Sequence, residues 1–141
     1  MSDVSEITAL VHSYALLLDG GDMDGVSALF TNSTWHSEPG GRALRGRDEV
    51  RPIYAQVKLY DGIPRTKHLL TNLTVDVQPG ASIASAHCYF TVLQCVEPGN
   101  AIEIILSGQY VDKFEKVDGA WRFTDRLIKS DLIGDVSKHM G

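Results

Sequence analysis

The sequence predicts an α+β domain: a cone-shaped, strongly curved antiparallel sheet with N-terminal helices enclosing a pocket. Three observations lead there. Apolar residues recur at spacings of three and four through the first third of the chain, which is helical periodicity. From about Thr66 the pattern changes to long runs of β-favouring residues. Turn signals separate these runs at Gln78-Pro79-Gly80-Ala81, Glu97-Pro98-Gly99-Asn100 and Val117-Asp118-Gly119. Helices first and strands afterwards is the order of a domain whose helices cover one face of a sheet.

The first helix carries Val4, Ile7, Leu10, Val11, Tyr14, Leu17 and Leu18 on its apolar stripe. Asp3 and Glu6 have capping-box spacing at its start, and Gly20-Gly21 ends it. Asp22 then caps a shorter helix with Met23, Val26, Leu29 and Phe30 on one side. Thr34-Trp35-His36-Ser37-Glu38 is a short strand before the Pro39-Gly40-Gly41 turn. A third helix is expected over about 48–57, with Val50, Ile53, Tyr54 and Val57 on its stripe and Pro52 in its opening turn. Four strands follow near 66–77, 82–95, 101–116 and 120–130, and their short connections make an antiparallel meander. Strands this long exceed the usual five or six residues, so bulges and strong curvature are expected. A curved sheet capped by helices leaves a concave space suited to a small molecule.

The totals narrow the function classes. At 141 residues the chain reads as one domain over 1–141, large enough to fold without staples. Cys88 and Cys95 are expected as free thiols of a reducing compartment. A net charge of -5 with scattered basic residues argues against a nucleic-acid partner. No apolar run approaches the about 18 residues of a membrane span, and Met1-Ser2-Asp3-Val4 lacks the start of a signal peptide, so a cytoplasmic location is expected.

Asp19 stands where an apolar helix runs into glycines, and a carboxylate there must be solvated, paired or put to use. His68, far along the chain, is the candidate partner. Several local motifs resemble the SnoaL-like branch of the nuclear transport factor 2-like superfamily. They are Tyr14 through Asp19 followed by Asp22-Met23-Asp24, Leu29-Phe30-Thr31, Arg65-Thr66-Lys67-His68 with Asn72, Gly108-Gln109-Tyr110-Val111-Asp112, and Asp118-Gly119-Ala120-Trp121-Arg122-Phe123. The resemblance covers almost the whole chain. It implies the cone fold, a homodimer, and kinship with scytalone dehydratase, hexachlorocyclohexane dehydrochlorinase and bile-acid 7α-dehydratase. In that group an aspartate at the end of the first helix and a histidine at the start of a long strand form a dyad, and Asp19 and His68 stand at those positions. Tyr14 matches the tyrosine five residues before the aspartate of the bile-acid enzyme. Arg126 and Lys129 lie near its arginine, so Arg126 is expected to meet an anionic group of the substrate. Leu93 and Val92 stand where relatives carry further polar pocket residues, so the substrate does not carry over.

A carboxylate bonded to one imidazole nitrogen fixes the tautomer and makes the other nitrogen a competent base. Such a base removes a proton α to a carbonyl, and loss of a β-hydroxyl or halide completes a cofactor-free elimination. Isomerisation and aldol cyclisation start from the same enolate. All three need a donor for the developing oxyanion, which Tyr14 or Tyr54 supplies, and a dry pocket, for which Trp35 and Phe90 are candidate walls. The expected protein is therefore a cofactor-independent, dehydratase-like lyase acting on a small hydrophobic substrate; a non-catalytic binding module is the rival class. No metal is expected, because His12, His36, His68, His87 and His139 show no ligand spacing. Strand parity pulls the other way. A regular hairpin centred on Pro79-Gly80 sets position 75 opposite 84 and puts His68, Asn72, His87, Tyr89 and Thr91 on one face. Leu69, Leu73, Val75, Val77, Cys88, Phe90 and Val92 then take the face under the helices, and only a bulge restores His68 to the pocket.

Overall fold

The computed structural model describes residues 2–141. In chain order the elements are α1 (Asp3–Asp19), α2 (Met23–Ala28), β1 (Thr34–Glu38), β2 (Arg42–Arg45), α3 (Gly46–Tyr54), β3 (Thr66–Asp76), β4 (Ile83–Gln94), β5 (Glu103–Val117) and β6 (Ala120–Ile133). The strands form one curled, unclosed sheet in the order β2-β1-β6-β5-β4-β3. The expected meander β3-β4-β5-β6 is antiparallel throughout, with Asp118 and Gly119 both at positive φ in its last tight turn. The sheet is not antiparallel in every pair, however. β1 adds to β6 in parallel, and β2, which the sequence pattern did not reveal, folds back along β1.

The helices rest on the concave face because their stripes do. Ile7, Val11, Tyr14 and Leu18 of α1 are buried together with Val26 of α2, Phe30 in the turn after it, and Val50 and Tyr54 of α3. They meet the inward residues Cys88, Phe90 and Val92 of β4, Tyr110 and Phe114 of β5 and Phe123 of β6. Each fully buried side chain of this size contributes about 1.5–3 kcal/mol from removal of apolar surface from water.

Two helix starts differ from expectation. Ser2, not Asp3, caps α1, accepting from the Ser5 N–H, because the Asp3 carboxylate is drawn away to Lys116 Nζ and Trp121 Nε1, both at 3.0 Å. α3 begins at Gly46 and contains Pro52 near its end rather than in its opening turn. Proline there has no N–H to give the Asp48 carbonyl, so the last turn of α3 lacks one helical hydrogen bond. Asp22 caps α2 as expected, accepting from the Gly25 N–H at 2.8 Å.

The long strands are bulged, and one bulge decides where His68 points. Thr71 pairs with Tyr89 and Thr74 with His87, so Asn72 and Leu73 together oppose Cys88. Asn72 takes φ +56°, the left-handed region that Asn tolerates better than most residues. The extra residue reverses the alternation: Thr66, His68 and Leu70 turn inward before it, Leu73 and Val75 after it. The regular-hairpin expectation that His68 and Leu69 occupy the opposite faces is thereby corrected; Leu69 is exposed and the His68 side chain is only 5% exposed. A second irregularity, at Ser107/Gly108 between β5 and β6, draws backbones so close that a Cβ on Gly108 would lie 1.9 Å from the Lys129 carbonyl oxygen. Only glycine fits that crossing.

Candidate active site

Asp19 is the last residue of α1, and the chain leaves it through Gly20 and Gly21. Gly21 has φ +81°, and a Cβ there would stand 2.1 Å from the Gly62 carbonyl oxygen. This tight exit holds the helix end against the beginning of β3. The Asp19 carboxylate accepts three hydrogen bonds from that strand, each of 2.7 Å: from Thr66 Oγ1, from the His68 backbone N–H and from His68 Nδ1. Burial raises the Asp19 pKa, but the His68 side-chain bond and charge, the His68 N–H and the Thr66 hydroxyl together outweigh it. The carboxyl is held below its usual range. An ionised Asp19 is an acceptor only, so Nδ1 of neutral His68 carries the proton and Nε2 the lone pair. Among the described residues no group hydrogen-bonds to Nε2.

His68 lines a cavity of about 260 Å³ between the helices and the concave face of the sheet. Of the residues expected from the sequence, Tyr14, Trp35, Tyr54 and Phe90 line it too. Asp19 does not; it stands behind His68. Five residues apart on one helix, Tyr14 and Asp19 point to different sides of it, and only Tyr14 reaches the open space. Polar Ser37, Arg42, Gln56 and Ser130 interrupt a lining that is otherwise mostly apolar.

The hydroxyls of Tyr14 and Tyr54 lie 2.7 Å apart, and Trp35 Nε1–H donates to the Tyr54 oxygen at 3.1 Å. One phenol proton is consumed within the pair, which leaves the other free to donate. Burial pushes both phenols above their usual pKa, more than the Tyr54 bond and the Arg126 charge lower Tyr14, so both stay protonated near neutral pH. Tyr110 stacks on Phe90 with ring centroids 4.5 Å apart and completes an aromatic wall that the sequence reading did not assign. Its trace in the sequence is strand parity, two residues before the inward-facing Asp112.

Arg126 corrects an expectation. It faces inward from β6 but lies deeper than the cavity and is not among its lining residues. Nε and Nη2 each donate to Asp112 at 2.8 Å, and the guanidinium packs on the rings of Tyr110, Tyr14 and Phe123 at 4.1, 4.6 and 4.8 Å. A fully buried cation requires such partners, and Asp112 pairs the charge inside the protein; Nη1 is buried too and has no hydrogen-bond partner. His139, marked in the sequence only by its lack of metal-ligand spacing, lines the cavity with its ring centroid 6.0 Å from that of His68. Among the described residues no group of three or more His, Cys, Asp and Glu side chains is placed to hold a metal ion. No helix is long and apolar enough to cross a membrane. Cys88 and Cys95 are both free thiols.

Solved structures share this architecture. A protein of unknown function from Mycobacterium tuberculosis, Rv3472, solved as a single-residue variant, superposes with a TM-score of 0.75 at 25% identity, over 93% of this chain and 73% of its own. A candidate scytalone dehydratase from Novosphingobium aromaticivorans gives 0.72 at 22% identity, over 94% and 87%. ActVI-ORFA from Streptomyces coelicolor gives 0.75 at 19%, over 91% and 96%. Comparison with curated proteins finds no match. The cone of helices on a curled sheet and the match of the SnoaL-like domain over residues 1–127 lead to one conclusion: the chain belongs to the SnoaL-like domain family.

Proposed function

We propose that this protein is a cofactor-independent lyase of the dehydratase type, acting on a small, mostly apolar β-hydroxy carbonyl compound. The observation that carries the reading is the 2.7 Å bond from His68 Nδ1 to Asp19, which leaves Nε2 as a basic nitrogen at the wall of an aromatic cavity. Nε2 takes the proton α to the carbonyl, and the C–H electrons move into the carbonyl to give an enolate. The free phenol proton of the Tyr14–Tyr54 pair donates to the enolate oxygen as charge develops there. Collapse of the enolate forms the double bond and breaks the β C–O bond. The departing hydroxyl takes the proton back from His68 and leaves as water, so no other reactant is needed. Positioned acid–base chemistry of this kind contributes about 10²- to 10⁴-fold, and an oxyanion donor in a low-dielectric site about 3 kcal/mol more.

A screen of β-hydroxy ketones, read by the absorbance of the conjugated product, tests this. His68→Ala is expected to lose turnover while keeping its circular dichroism and melting transition. Asp19→Asn is expected to lose on the order of 10²- to 10⁴-fold, because the amide does not fix the imidazole tautomer. Undiminished turnover in His68→Ala ends the proposal.

A further inference from the structure

The segment after β6 crosses the open end of the cone and is tied there at many points. The Lys58 N–H donates to the His139 carbonyl at 2.7 Å, Tyr60 Oη and Gln94 Nε2 donate to the Lys138 carbonyl at 2.6 and 3.1 Å, and Lys58 Nζ donates to the Ser137 carbonyl at 2.6 Å. These bonds use backbone, not the His139 ring. The ring is nevertheless buried, with the residue 4% exposed, and it lines the cavity beside His68. Its Nδ1 is sealed from solvent and has no hydrogen-bond partner. Nε2 is not sealed in this way, which leaves it as the ring nitrogen able to meet the cavity that the residue lines.

We infer that His139 recognises the leaving hydroxyl of the substrate, donating a hydrogen bond from Nε2–H to the oxygen on the carbon next to the one that His68 deprotonates. The inference rests on the reading of His68 as the base. A neutral imidazole has one N–H, and placing it on the sealed Nδ1 would bury an unsatisfied donor, whereas placing it on Nε2 turns it toward the cavity. The ring is neutral at ordinary pH: burial first, and then the neighbouring His68, lower its pKa to about 4. His68 and His139 thus present opposite functions, a lone pair and a donor. Two rings 6.0 Å apart meet neighbouring atoms of one small molecule rather than its two ends. A hydroxyl on the carbon adjacent to the acidic C–H satisfies both. His139 stays neutral throughout, and the proton that accompanies the hydroxyl comes from His68.

The test uses the whole protein with 3-hydroxycyclohexanone and its deoxy counterpart cyclohexanone as probes. In the ligand-free protein, ¹⁵N NMR of the imidazoles should show His139 protonated at Nε2; the opposite tautomer overturns the inference without any ligand. By NMR titration, recorded before the probe is turned over, wild type should bind 3-hydroxycyclohexanone more tightly than cyclohexanone, and the same preference is read without turnover in His68→Ala. His139→Phe should weaken the hydroxylated probe by about tenfold and leave cyclohexanone within about twofold. His139→Gln, which retains a side-chain N–H, should restore part of the preference. Equal loss of both probes, or no preference in wild type, overturns the inference. His68→Ala should keep the preference for the hydroxylated probe. If that variant keeps full turnover, the base reading fails; if it loses turnover while His139→Phe discriminates as wild type does, only the role of His139 fails.

Discussion

At the scale of single residues, the molecule separates two kinds of buried charge. Asp19 holds an imidazole at the cavity wall, whereas Asp112 holds a guanidinium beneath it. Removing one member of the deeper pair leaves the other buried and unpaired. Arg126→Met and Asp112→Leu are each expected to cost on the order of 3–5 kcal/mol in urea unfolding, and the double variant much less than their sum. Additive losses would show that the two groups do not act as a pair. The residue scale is also where the sequence was least informative. Asp19 and His68 were found through their motif surroundings, and Thr66, which also binds Asp19, was present in the same motif without a role. Arg126 gave no sign in the sequence that Asp112 would claim it. His139 lies in no periodic segment, so nothing local marked it; its place comes from tertiary closure across the cone.

Among the elements, β3 is the one that sets the site. Helical spacing in α1 and the turn signals between β3 and β6 made the fold class readable, because both are local and repeat. A bulge is a single event, and counting parity through it turned His68 the wrong way. Its trace was the spacing of three between the inward Leu70 and Leu73, with polar Thr71-Asn72 between them. Short β1 and β2 left weaker traces still, and nothing in a five-residue strand states that its partner is β6, in parallel. The bulge gives a direct test. Asn72→Gly accepts φ +56° and should leave stability close to wild type, whereas the β-branched Asn72→Val should cost about 1–3 kcal/mol. Chemical unfolding midpoints of the two variants measure the difference, and equal midpoints would refute a conformational role for Asn72.

For the whole molecule, burial of His139 links stability to pH. Its pKa is about 4 in the fold against a usual 6.5, so between those values the unfolded chain binds the extra proton. Stability from this group is therefore complete above about pH 6.5 and is lost as pH falls toward 4, on the order of 3 kcal/mol. The depressed carboxyl of Asp19 acts in the same direction at lower pH, below the usual carboxylate value. Unfolding midpoints at pH 7 and pH 4.5 should differ for the wild type and converge for His139→Gln; an unchanged difference would assign it to other groups. The parallel seam between β1 and β6 bears on how the chain reaches this state. It places Trp35 beside Arg126, so one wall of the cavity is set by partners distant in sequence. Closing so long a loop is slow compared with forming a meander of neighbouring strands. The β3–β6 platform is therefore expected to form before the Trp35 wall, which would make the cavity among the last features to mature; pulsed hydrogen exchange that protects β1 as early as β4 and β5 would refute this order.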